Sequence, residues 1–404
     1  MKKRIRLGTV FFLIVATAFV TAIATYYYLS LIVNDLGKNQ QMYLKLDKVN
    51  QIVNSYYVNA IDPIEGYDNI TDSMISGYIS GLKDPYSYYL NKKDYQTSNT
   101  LGGSNISIGI KYSYDNTTEG IKVDFVKYGS PAKTAGLSKG DVIIAIDDVS
   151  VSETGYRRAT QKLSGDTDSE VVLTVIRSGD GSLYTYTVKR RKFEPQTVDY
   201  RLLSSGIGYI HINEFDKTTI TDFTVAYDDL ISKGAEGLIF DVRFNSSGEV
   251  DFAVEILDRI LPAGTILSVK EKTSSEQKIY PSDDKHISLP IVVLQNQETA
   301  GLAEVFCADL KDSQEITAII VGVKTKGMGV GQRDIPLSDG TAIRLSAYEY
   351  IPSSGSSFNL IGIEPDYEYA LEAEKSARFD DLTDEEDDQL QFAMTKLKEL
   401  MGLQ

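Results

Sequence analysis

From Gly206 to Val321, short apolar runs alternate with amphipathic stretches, and that order leaves few architectures open. Tyr209–Ile212, Gly237–Val242, Ile291–Leu294 and Ile316–Val321 read as strands, most of them apolar at nearly every position. Unbroken apolar strands suit a sheet covered on both faces. Between them, about 218–232, 250–260 and 303–311 repeat apolar residues near the helical period of roughly 3.6. Strand–helix–strand order of this kind predicts an α/β domain with a substantially parallel sheet. Polar loops leave the carboxyl ends of these strands, where such sheets place their sites.

Upstream the pattern changes. Ile106–Tyr112, Ile121–Val126, Val142–Ile146, Val171–Ile176 and Tyr184–Val188 are short β-rich runs separated by Gly and Asp turns. A short helix fits Pro131–Ala135, ended by Gly136, and another fits Glu153–Leu163. This is a small β module. Before it, residues 42–97 read as helical, with Leu44, Leu46, Val49, Ile52 and Val53 near a helical period. A second helix over about 72–82 is broken by Pro85. At the other end, Thr383 and Glu386 have the spacing of a capping box, and Leu390, Met394, Leu397 and Met401 form one helical stripe.

The amino terminus sets the compartment. Lys2, Lys3, Arg4 and Arg6 precede an apolar run from Gly8 to Val33, and no acidic residue occurs before Asp35. A helix of that length spans a bilayer core of about 30 Å. The basic flank keeps the short end cytoplasmic. The expectation is a single-pass anchor in the cell membrane, with the bulk of the chain extracytoplasmic. The rival is a cleaved signal peptide ending at Ala22-Ile23-Ala24. The run continues past that point to Val33, which favours an anchor.

Composition narrows the function. The net charge of −16 repels phosphates, so no nucleic-acid partner is expected. One cysteine, Cys307, allows no internal disulfide. With His211 and His286 the only histidines, no metal or cofactor is expected. His211 alternates with Tyr209 and reads as a strand-face residue, and Ser353–Ser357 as a loop.

Several segments resemble one family. Gly81-Leu82-Lys83-Asp84-Pro85-Tyr86-Ser87 is similar to the G-L-x-D-P-Y-S segment of the carboxyl-terminal processing peptidases, or tail-specific proteases. Ser130-Pro131-Ala132, Ala135-Gly136-Leu137 and Gly140-Asp141-Val142-Ile143 resemble the core of their PDZ domain. Asp241-Val242-Arg243-Phe244-Asn245-Ser246-Ser247-Gly248 resembles D-L-R-x-N-P-G-G, and Gly362-Ile363-Glu364-Pro365-Asp366 matches G-I-x-P-D. The matches keep the family's order. The pattern along the chain, with the β module and α/β domain named by the resemblance, gives an expected α+β multidomain chain: residues 1–34 a basic flank and transmembrane helix, 35–100 a helical segment, 101–192 a PDZ β module, and 193–404 a peptidase-like α/β domain with a partly parallel sheet and a C-terminal helix. The resemblance implies a serine peptidase acting near carboxyl termini, with a Ser nucleophile, a Lys base and a nearby Gln. The PDZ module would hold the substrate's tail by strand addition, through the turn Ser107-Ile108-Gly109-Ile110.

The chain departs from the family where the chemistry sits. Asn296, Thr299, Ala300 and Glu304 match the nucleophile motif, and the nucleophile's place falls to Gly301. Gly322, Thr325, Gly327, Gly329 and Gln332 match the base motif, and the base's place falls to Met328. Of the three groups Gln332 alone is retained. The oxyanion turn reads Ser246-Ser247-Gly248 in place of Pro-Gly-Gly, leaving Ser247 and Gly248 as the turn residues. The Arg-Gly that follows the PDZ helix in the family reads Ser164-Gly165. Glycine has no nucleophile and methionine takes no proton. The expected protein is an inactive pseudopeptidase that binds peptide or protein carboxyl termini. One alternative is an active peptidase with a relocated dyad of Thr299 and Lys326. The other is a non-catalytic subunit that forms a homodimer or pairs with an active relative and regulates it.

Overall fold

A computed structural model describes the chain apart from residues 1–6, 60, 63–64, 93, 96–105, 116, 127–128, 193–196, 247, 378, 380–381 and 404. It divides into two compact units, Met1–Met74 and Ile75–Gln404. The first holds a 50-residue helix, α1 (Leu7–Tyr56), and most of α2 (Glu65–Ser80). The basic flank at 1–6 lies outside the described residues, as do the side chains of 7–14 and 29–39. Among the described residues no helix is long and apolar enough to cross a membrane.

The second unit contains the β module and the α/β domain. In the module, β3 (Ile110–Asp115), β4 (Gly120–Val126), β5 (Val142–Ile146), β7 (Glu170–Ile176) and β8 (Leu183–Lys189) form an antiparallel sheet, with β6 (Val149–Ser150) beside β5. The strands β2 (Ile106–Ser107) and β9 (Arg191–Lys192) pair separately. Alternate residues bury the core: Ile121 and Val123 on β4, Val171, Leu173 and Val175 on β7. Helix α3 (Pro131–Ala135) follows its sequence signals closely. Ser130 Oγ accepts from the Lys133 N–H at 3.1 Å, Pro131 opens the first turn, and Gly136 ends it at φ 92°. The helix expected over Glu153–Leu163 is two pieces, α4 (Val151–Thr154) and α5 (Tyr156–Gln161). Gly155 separates them at φ 81°, a conformation no helix interior adopts.

The α/β domain is built on a six-stranded sheet in the order β10 (Val198–Leu203), β11 (Ile207–Ile212), β12 (Gly237–Asp241), β15 (Ile291–Gln295), β16 (Ala318–Gly322) and β19 (Tyr367–Glu368). From β11 onward every pairing is parallel, and β10 joins antiparallel. The unbroken apolar strands now have their reason. Leu238, Phe240, Ile291 and Val293 face one layer, formed by α6 (Lys217–Ser232), α7 (Val250–Ile260) and α8 (Leu302–Asp312). Ile239, Val292, Leu294 and Val321 face the other, covered by Leu390, Ala393, Met394 and Leu397 of the C-terminal helix Asp388–Leu400. That helix starts later than its capping box suggests. Thr383 and Glu386 do exchange both bonds, but the N-cap is Asp387, whose carboxylate accepts from the Leu390 N–H at 3.0 Å.

A second sheet went unread in the sequence. The strands β1 (Tyr88–Leu90), β13 (Gly264–Glu271), β14 (Lys278–Ser282), β17 (Val330–Pro336) and β18 (Ala342–Pro352) pair antiparallel. β1 corrects the helical reading of 42–97: after α2 the chain crosses to pair Tyr88 with Arg344.

Candidate functional site

The site is built on the turn between β15 and α8. Asn296 Oδ1 accepts from the N–H groups of Glu298 and Thr299, both at 3.1 Å, which shapes the turn. It also accepts from the Phe244 N–H at 3.1 Å, and the Ala300 N–H donates to Asn245 O at 2.9 Å. The turn is thereby stitched to the loop after β12. Gly301 caps α8 at φ 65°, ψ −119°, and a Cβ placed there meets nothing within 4 Å.

Glu304, one helical turn on, is fully buried and gathers the two motifs. Its Oε2 accepts from the N–H groups of Gly301 (3.0 Å) and Met328 (2.7 Å). Its Oε1 accepts from the Gly327 N–H (2.6 Å) and Thr325 Oγ1 (2.5 Å). Burial pushes this carboxyl up, and the donated hydrogen bonds work against that rise. Gly301 and Met328 thus meet at one oxygen atom. The sequence reading placed both residues but missed Glu304 as the node. Its signal was the glutamate of the same motif, three residues after Gly301.

The substitute pair is not brought together. Thr299 Oγ1 is buried and donates to Val242 O at 2.9 Å. It does not cap α8, since that place belongs to Gly301. Lys326 lies in no strand, and its ammonium lies 4.0 Å from the Glu298 carboxylate with about half its side chain exposed. Backbone alone joins them, Lys326 N–H donating to Thr299 O at 3.1 Å.

Gln332, on β17, donates its amide to Tyr86 O. The Tyr86 hydroxyl donates to Gly327 O at 3.2 Å, and the Ser346 N–H donates to Ser87 Oγ at 3.0 Å. Segment 84–90 is therefore a strap across the site, and Gln332 is one of its ties. Gln332→Ala should lower stability by about 1 kcal/mol and speed amide exchange in β1. An unchanged urea midpoint with unchanged exchange at Leu90 would show that the tie does nothing.

Beneath the site lies an ionic network. Arg243 is fully buried and pairs with Asp241 (2.5 Å) and Asp387 (2.7 Å), and it donates to Gln389 Oε1 at 3.0 Å. Tyr209 donates to Asp241 Oδ2 at 2.7 Å. Burial would raise the Asp241 carboxyl, but Arg243 outweighs it and holds the group below the usual range. Of the oxyanion turn, Ser247 lies outside the described residues. Gly248 is required where it stands: at φ 145°, a Cβ would lie 2.6 Å from Phe215 Cβ and 2.7 Å from Phe215 O.

In the β module, Ser107 pairs with Arg191 and bridges Ser164. Ile108 is buried, and its carbonyl accepts from the Ala132 N–H at 2.9 Å. Gly109, at φ 79°, donates its N–H to Ser107 Oγ at 3.3 Å, and Ile110 starts β3. Tyr112 and Tyr114 of β3 meet Tyr156 of α5 edge-on, with centroids 6.4 and 5.1 Å apart. The turn, the strand and the helix end lie together, as strand addition requires.

Comparison with known proteins agrees with this arrangement. Residues 206–369 match Peptidase family S41, and residues 97–176 match the PDZ domain. The chain is 30% identical over 327 residues to the carboxy-terminal processing protease CtpA of Bacillus subtilis, covering 80% of this chain and 68% of that one. It is 28% identical to CtpB of the same organism, covering 80% and 66%. Among solved structures, the photosystem II D1 C-terminal processing protease aligns with a TM-score of 0.56 at 25% identity, over 82% of this chain and 88% of that one. With its PDZ module and mixed peptidase sheet, the chain belongs to peptidase family S41, among the C-terminal processing peptidases.

Proposed function

We propose that this protein is a membrane-anchored, extracytoplasmic pseudopeptidase that holds peptide or protein carboxyl termini in its PDZ groove. The observation that carries the reading is the meeting of Gly301 and Met328 at Glu304. Two motifs set these residues at the nucleophile and base, the fold puts them side by side, and neither has a group for the chemistry. The hydroxyl and amine of the relocated-dyad alternative, on Thr299 and Lys326, are turned to a backbone carbonyl and to Glu298. Membrane attachment rests on the basic flank and the apolar run Gly8–Val33.

The test is binding without turnover. Fluorescein-labelled heptapeptides ending in Ala, Val, Leu or Phe are titrated with the full chain, each as free acid and as amide. The acid forms should bind tighter by roughly 10–100-fold, the worth of charge-assisted bonds to the turn, and should be recovered uncut. Equal affinity for acid and amide would rule out the carboxylate mode. A change in an active relative's turnover on mixing would favour the regulatory-subunit reading instead.

A further inference from the structure

We infer that Arg190 supplies the counter-charge for a peptide carboxylate docked at the Ser107–Ile110 turn. The inference rests on the peptide-binding reading above and adds to it the residue that makes the turn prefer an acid.

Arg190 lies between β8 and β9 and is 7% exposed. It spends its side chain on neutral oxygens. Nε donates to Lys162 O at 3.1 Å, Nη1 donates to Ser169 Oγ at 3.0 Å and to Glu170 O at 2.9 Å, and Nη2 also donates to Lys162 O. These four bonds leave one of a guanidinium's five N–H donors. Among the described residues none of its bonded partners is a carboxylate. A buried charge is ordinarily paired with its opposite, and the carbonyl at the end of α5 offers only a partial negative charge.

The guanidinium is close to the turn by a short path. Two residues after Lys162, Ser164 bridges Ser107. The next residue, Gly165, is packed on Arg190: a Cβ there would lie 3.0 Å from Arg190 Cδ and 3.3 Å from Cζ. The guanidinium therefore packs on the segment 162–165 that carries the bridge to Ser107. β9 continues the charge, with Arg191 opposite Ser107 and Lys192 opposite Ile106. The Gly109 N–H, meanwhile, is held by Ser107 Oγ, an oxygen standing where a ligand oxygen would accept. Residues 101–192 carry 13 Lys and Arg against 11 Asp and Glu, while the rest of the chain carries 28 against 46. The module is the basic part of an acidic protein, and three of its cations, Arg190, Arg191 and Lys192, are consecutive beside this turn. Inside a protein such a charge acts on a docked anion far more strongly than through water.

The experiment uses the full chain and the same acid and amide heptapeptides. Arg190→Gln removes the charge and keeps an N–H donor for Lys162 O, whereas Arg190→Lys keeps the charge. Arg190→Gln should cut acid affinity by roughly tenfold and leave amide affinity unchanged, which also shows that the module is folded. Arg190→Lys should keep most of the acid preference. On the unmodified chain, raising salt from 50 to 500 mM should weaken the acid peptides and spare the amides. Should neither variant fold, Ser169→Asp decides instead: a carboxylate in place of the Ser169 hydroxyl that Nη1 bonds neutralises the guanidinium where it stands and should lower the acid-to-amide ratio, and an unchanged ratio would overturn the role of Arg190. An Arg190→Gln chain with the acid-to-amide ratio intact would overturn the role of Arg190 and leave peptide binding standing. An unmodified chain blind to the carboxylate would overturn both.

Discussion

Arg243→Leu should destabilise the folded α/β domain by about 3–5 kcal/mol, because it leaves two buried carboxylates without their cation. Asp241 is fully buried and Asp387 nearly so. The second of these caps the C-terminal helix, so the damage extends to the layer formed by Leu390, Met394 and Leu397. Arg243→Lys keeps the charge and loses the paired geometry, and should fall between. The triple change Arg243→Leu, Asp241→Asn, Asp387→Asn removes charge from both sides and should recover much of the loss. The chain has no tryptophan, so urea unfolding is followed by far-UV circular dichroism. A loss under about 1 kcal/mol for Arg243→Leu would mean that water reaches the carboxylates.

Gly301→Ser combined with Met328→Lys should restore hydrolysis where neither change does so alone, with at least roughly 10²-fold over either single variant. The seryl side chain has room, as a Cβ at 301 meets nothing within 4 Å. Three features keep the rate low. The serine must accept φ 65°, ψ −119°, a conformation that costs about 1–3 kcal/mol away from glycine. The Glu304 carboxylate, bonded to the Met328 N–H, favours the protonated lysine over the neutral base. Ser246-Ser247 stands where the family resemblance sets Pro-Gly, and a missing oxyanion donor there would cost roughly 10²–10³ in rate. A fluorogenic peptide and a serine-reactive probe read the outcome. Turnover by the unaltered chain that disappears in Thr299→Ala or Lys326→Ala would falsify the pseudopeptidase reading.

What the sequence made legible follows from locality. β11, β12, β15 and β16 are buried on both faces, so nearly every residue is apolar and the runs stand out. α3 carries its own start and stop, in Ser130, Pro131 and Gly136. The second sheet carries no such mark. Most residues of β18 are half-buried and polar residues interrupt it, while β1 is three residues long and finds its partner about 250 positions away. Gly155 falls inside the helix expected over Glu153–Leu163, and its positive φ makes it a break. At the site, motif spacing located Gly301, Met328 and Gln332. It could not reveal that three backbone N–H groups converge on Glu304, because backbone direction is not written in side-chain identity.

The backbone at Gly301 has a consequence for how such a protein persists. An L-residue held at φ 65°, ψ −119° is strained, whereas glycine adopts that backbone freely. On the pseudopeptidase reading proposed above, glycine at 301 adds stability where a nucleophile would cost it. Gaining a dyad from this chain would be uphill at each single step, since a serine alone would bring strain without a base and a lysine alone would lack a nucleophile. On that reading the backbone angle at 301 is a ratchet against the reaction.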